Sequence, residues 1–140
     1  MTTVCHISTV HQAKDTRIYH KECATLARMG YNVKLVVVNA EDTISDYDNV
    51  EIVNIELNPA GKLKRVLSYP KQVLGKILEL APAVAHLHDP ELLQIVPPLK
   101  SAGIKVIYDA HEDVPKQVLT KDWIPGPLRG VVAHWVQRYE

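Results

Sequence analysis

Five short apolar runs, each followed by a stretch of different periodicity, constrain this chain more than any other feature. They read "TVCHIS" (3–8), "NVKLVVV" (32–38), "VEIVNIE" (50–56), "AVAHLH" (83–88) and "IKVIYD" (104–109). The second is apolar almost throughout, the pattern of a strand covered on both faces. Helical periodicity fills the intervals. "IYHKECATLARMG" (18–30) carries Tyr19, Cys23, Leu26 and Ala27 at i, i+4, i+7 and i+8, one stripe closed by Gly30. "GKLKRVLSYPKQVLGKILEL" (61–80) is helical by period, but Pro70 lacks an N–H and is expected to kink the helix or split it. Asp89 is placed to cap a further helix and Pro90 to open it, while Pro97 and Pro98 predict a bend near Ile95 and Gly103 a stop.

Strands alternating with helices predict an α/β fold: a Rossmann-like, doubly wound parallel sheet with helices on both faces. With 140 residues the chain makes one domain, 1–140, with a proper core. The stretch 39–49 turns acidic and reads as a solvated loop. The last segment, "GPLRGVVAHWVQRYE", places Leu128, Val131, Val132, Trp135 and Tyr139 on one helical face expected to pack on the domain. It ends at Glu140 with no Gly, Asn or Pro to stop the helix, which predicts a piece of a longer protein, cut inside its last helix.

Charge and cysteine content narrow the function classes. Lys+Arg and Asp+Glu both number 16, so no global field draws in nucleic acid. Cys5 and Cys23 are too few for a disulfide framework, and Cys5 sits in a run that reads as a buried strand, which fits a cytoplasmic location. "MTTVCHISTV" has neither the basic start nor the long apolar stretch of a signal peptide, and no run is long enough to span a bilayer.

In a doubly wound sheet, ligands bind beyond the carboxyl ends of the strands where strand order reverses. With right-handed crossovers the first strand lies beside the fourth, and the fifth flanks the fourth. Three polar segments then converge: "STVHQAKDTR" after the first strand, "HDPE" after the fourth and "AHEDVP" after the fifth. Each residue taken singly suits a cap or turn; the meeting of His11, His88 and His111 at one rim favours a site. His86 and His88, two apart on a strand, point to one face, and with Asp89 they have a spacing that can hold zinc. A neutral, hydrogen-bonded core role for His86 is the competing expectation, and no metal ligand is assigned. The loop after the first strand contains no glycine, which disfavours a dinucleotide site. It offers Ser8, Thr9, His11, Asp15, Thr16 and Arg17 around a helix N-terminus, a set suited to an anionic or hydroxyl-rich ligand.

"HISTVHQAKDTRIYHKECATLARMGYNVKLVVV", "AHLHDPELL" and "KVIYDAHEDVPKQV", in this order and spacing, resemble the N-terminal domain of family-4 glycosyltransferases, retaining enzymes with two Rossmann domains. The resemblance covers nearly the whole chain. It implies an acceptor-side domain whose absent C-terminal partner holds the nucleotide-sugar, with transfer to a glycan or lipid-linked acceptor in cell-surface polysaccharide synthesis. No cofactor and no metal are implied. By position, the resemblance gives His111 a catalytic role and puts His88, Asp89 and Glu112 at the substrate rim. Many members have glycines in the first loop, so here His11, Asp15, Thr16 and Arg17 are expected to position acceptor rather than grip phosphate. The isolated chain is expected to fold without transferring sugar. A non-catalytic Rossmann-like module and a metal-dependent hydrolase are the alternatives; a receiver-like domain fits poorly, because "HISTVH" and "NIELNP" lack its acidic residues.

Residues 61–80 suggest one more partner. Lys62, Lys64, Arg65, Lys71 and Lys76 stand against Glu79 alone, interleaved with Leu63, Val66, Leu67, Tyr69, Val73 and Leu74. Such a segment can lie on an anionic bilayer at the inner face of the membrane, or simply pack its apolar side on the sheet.

Overall fold

The computed structural model describes residues 1–110 and 125–139, without the side chains of Val136 and Tyr139. Five strands, β1 (Thr3–Ile7), β2 (Asn32–Val38), β3 (Val50–Ile55), β4 (Val84–Leu87) and β5 (Lys105–Tyr108), form one sheet in the order β3-β2-β1-β4-β5. All four pairings are parallel. This is the expected Rossmann-like arrangement, with β1 in the centre beside β4 and β5 beyond it.

The period of two along each strand sends neighbouring residues to opposite faces. Cys5 and Ile7 of β1, with Ala85 and Leu87 of β4, join a core completed by Val73 and Ile77 of α2 (Lys62–Leu80) and Leu99 of α3 (Val96–Ser101). On the other face, Val33, Leu35 and Val37 of β2 pack against Tyr19, Cys23 and Ala27. The predicted helical stripe is therefore the buried one. Both cysteines are free and buried, and burial pushes each thiol up to about 12.

The first helix differs from expectation at its start. It opens as a π-helical segment, Thr16–Cys23, and tightens into α1 (Ala24–Arg28). Asp15 caps it, accepting from the N–H of Arg17 and of Ile18, both at 2.9 Å. The Asp15 carbonyl accepts from Tyr19 N at 3.0 Å and also from His20 N at 3.2 Å, the i→i+5 bond of the wider turn.

Pro70 does not split α2: the helix runs unbroken through it, with Pro70 buried. The carbonyl that Pro70 would have served is that of Val66, four residues back, and Gln94 Nε2 donates to it at 2.6 Å. A side chain from the next connection thus supplies the missing backbone donor. That connection bends as expected: a 3₁₀ helix, Pro90–Ile95, passes into α3 at Ile95, and Gly103 (φ +79) follows the last turn. Asp89 holds the N-cap position but makes no side-chain cap bond, because its carboxylate is turned to the loop after β1.

The final helix, α4 (Gly126–Tyr139), packs through only part of the expected stripe. Ala133 is buried, and Val132 and Trp135 lie with it against Leu93, whereas Leu128 and Val131 are 48% and 66% exposed. No helix among the described residues is long and apolar enough to cross a membrane.

Candidate functional site

Strand order reverses between β1 and β4, so the crevice beyond their carboxyl ends is the ligand position of this topology. One carboxylate organises it. Asp89, 3% exposed, accepts from Ser8 Oγ at 2.8 Å and from the Thr9 N–H at 2.7 Å through the same oxygen. Its other oxygen lies 3.2 Å from His11 Nδ1. Ser8 Oγ in turn accepts from the His11 N–H at 3.0 Å, and Thr9 Oγ1 donates to Glu91 Oε1 at 2.7 Å. Burial alone would raise the Asp89 carboxyl, but the bonds from His11, Thr9 and Ser8 outweigh it and hold the group below its usual range. Hydrogen bonding to Asp89 raises His11 against a smaller effect of burial. Burial, then the charge of Asp89, pushes Glu91 up.

The donors at the head of the first helix are committed as well. Burial would raise Asp15, but the N–H groups of Ile18 and Arg17 bring it down, and they are the second and third amide donors of that helix. Internal carboxylates therefore occupy both places where a doubly wound fold usually receives an anionic ligand: the turn after β1 and the helix N-terminus.

A second polar layer lies on the sheet face below the rim. His6 of β1 is paired in register with His86 of β4, and His88 follows on the same face. His6 and His88 are 0% and 1% exposed, with His6 Nδ1 and His88 Nε2 2.9 Å apart. Glu22 reaches them from the π-helical segment, its Oε2 lying 3.6 Å from His6 Nδ1, 3.7 Å from His88 Nε2 and 4.0 Å from His86 Nδ1. Arg17 pairs with Glu22 and with Asp109, and Asp109 Oδ2 lies 3.5 Å from His88 Nδ1. In an α-helix residues five apart point about 140° away from each other; the π turn brings Arg17 and Glu22 toward one face. Burial, then the neighbouring imidazoles, lowers His6 to about 3 and His88 to about 4; burial also lowers His86. Burial thus works against a charge on each of the three rings.

The residues named from sequence fall into three groups. His11 and Asp89 are joined directly, while His88 connects through Asp109 to Arg17. Asp15 is a cap, and Thr16 is exposed beside it. His111 and Glu112 lie outside the described residues. Sequence reasoning missed His6, Glu22, Glu91 and Asp109. His6 had a readable signal: an imidazole in the middle of a strand that should be central and dry.

No known family profile matches the chain, and no curated protein does. Among solved structures, it is similar to a sucrose-phosphate synthase from Thermosynechococcus elongatus, at TM-score 0.69 and 12% identity, over 99% of this chain. The likeness is one of fold. The chain spans 39% of the length of that synthase. A Rossmann-like architecture is thus established for these residues.

Proposed function

We propose that this chain is the acceptor-side, N-terminal domain of a retaining family-4 glycosyltransferase, in which a following domain holds the nucleotide-sugar. The observation that carries the reading is the commitment of the β1 loop and the first helix N-terminus to Asp89 and Asp15. A half-enzyme that gripped diphosphate there would leave those donors free. The fold it shares with a glycosyltransferase supports the reading, as does the length that remains in the longer relative.

In this reading an acceptor hydroxyl attacks the anomeric carbon from the face that the nucleoside diphosphate leaves. The cleft stabilises oxocarbenium-like and phosphate charge, an electrostatic task that requires no nucleophilic carboxylate and no metal in the reaction. In this reading His111 hydrogen-bonds the donor sugar or diphosphate, and Glu112 contributes to substrate binding. His11, Thr16 and Arg17 order the acceptor at the crevice; His88, Asp89 and Asp15, being buried or bonded inward, hold the rim in shape. The acceptor is a glycan or lipid-linked sugar, the pathway cell-surface polysaccharide synthesis, and the place the cytoplasm at the inner face of the membrane.

The test compares the protein with and without its following domain, using a panel of labelled nucleotide-sugars and lipid-linked acceptors. The expected result is no product from the 140-residue chain, product from the longer enzyme, and loss of most of that turnover in His111→Ala with little change in melting temperature. Turnover by the chain alone, or a folded His111→Ala enzyme with full activity, refutes the assignment.

A further inference from the structure

The cluster on the sheet face touches the rim of the reaction proposed above only through His88, and its chemistry is specific. His6, Glu22, His86 and His88 each offer one ligand atom, and the four atoms lie within 4.8 Å of one another. Tetrahedral zinc, with bonds of about 2.0–2.1 Å, sets its ligand atoms roughly 3.3 Å apart. The observed approaches of 2.9, 3.6, 3.7 and 4.0 Å straddle that value. We propose that His6, His86, His88 and Glu22 form a closed structural site for a divalent transition metal of the zinc class.

Three features make a metal a better occupant than a proton network alone. Three imidazoles and one carboxylate are a donor set that suits zinc, and four protein ligands fill its coordination without a place for water. The second shell is also in place: Asp109 faces the far nitrogen of His88 at 3.5 Å, and Arg17 bridges Asp109 and Glu22. A carboxylate behind a ligating histidine fixes ring orientation and raises ligand basicity. Finally, the ligands come from two adjacent strands and a capped helix, so a bound ion would tie the first helix to the sheet. His86 and His88 belong to the His-x-His spacing legible in the sequence, but Asp89 does not complete it; Glu22 and His6 do, through contacts that no local spacing encodes.

The test uses untagged protein stripped with a chelator, then titrated with zinc, and with cobalt as a spectroscopic probe. The expected result is one equivalent of zinc by elemental analysis, an intense tetrahedral cobalt spectrum and a higher melting temperature with metal. Loss of a second-shell partner typically lowers metal affinity about 10–100-fold, so loss of a ligand should lower it at least as much. His86→Ala and Glu22→Gln, both at the accessible side of the cluster, should each do so while circular dichroism shows the fold retained; His20→Gln, at an exposed histidine, should not. Absence of stoichiometric binding, or unaltered affinity in the folded His86→Ala and Glu22→Gln proteins, overturns the proposal.

Discussion

Replacing Gln94 with Met should cost stability in a way that depends on Pro70. Gln94 Nε2 donates to Val66 O at 2.6 Å and to Glu91 O at 2.9 Å. Methionine keeps the length and removes both donors. A buried acceptor left unsatisfied costs about 1–3 kcal/mol, and because both partners are only half-buried the lower part of that range applies, about 1–2 kcal/mol. For a domain of this size that is a fall in melting temperature of roughly 3–6 °C. In a Pro70→Ala background the residue at position 70 has an N–H of its own and can restore the i→i−4 bond to Val66, so Gln94→Met should cost about 1 kcal/mol less there. Urea unfolding of the four proteins closes the double-mutant cycle. Equal costs of Gln94→Met in both backgrounds would falsify the idea that Gln94 substitutes for the proline's missing donor.

Two further outcomes follow from the rim and from α2. Asp89 raises the His11 pKa, so this interaction stabilises the fold fully below the unfolded value of about 6.5 and is lost as pH rises through the higher folded pKa; an NMR titration of His11 should show the raised midpoint, and Asp89→Asn should bring it back down, whereas an unchanged midpoint would remove Asp89 as the cause. Leu63 and Leu67 are 41% and 58% exposed beside Lys64 and Lys71 while Tyr69, Val73 and Ile77 face the core, so α2 keeps an exposed apolar strip flanked by basic residues; if that strip docks on an anionic bilayer, co-sedimentation with anionic liposomes should be strong at low salt and weakened by Lys64→Glu with Lys71→Glu, and binding indifferent to those charges would exclude this surface.

The sheet was legible because burial writes itself into period. An alternating set such as Val33, Leu35 and Val37 cannot be moved by one residue without turning every member to the opposite face, and the order β3-β2-β1-β4-β5 follows once crossovers are right-handed. Helix details were less legible, because tertiary partners decide them. Nothing near Pro70 announces that Gln94 will satisfy Val66, and on α4 only Val132 and Trp135 of the expected stripe pack with Ala133 against Leu93, while Leu128 and Val131 stay exposed. The site was half legible for the same reason. His88 and Asp89 mark a strand end by themselves, but Glu22 becomes the neighbour of His88 only through a π turn, and sequence periodicity assumes an α-helical one.

The glycine-free loop and the buried Asp89 express one structural choice. A loop that lets a pyrophosphate approach its backbone needs glycines for the tight turn and the close contact. Here no residue between Ser8 and Asp15 takes a positive φ, and the loop is shaped instead by Ser8, Thr9 and His11 bonding to Asp89. The negative charge that a ligand would bring is already inside the protein, delivered from the end of β4. That charge fixes His11 at the mouth of the crevice and keeps its imidazole protonated to higher pH than an isolated one, so the rim presents a side-chain donor where a dinucleotide fold presents bare amides. In the proposed function this rim would meet a hydroxyl-rich sugar whose anionic neighbour is held elsewhere.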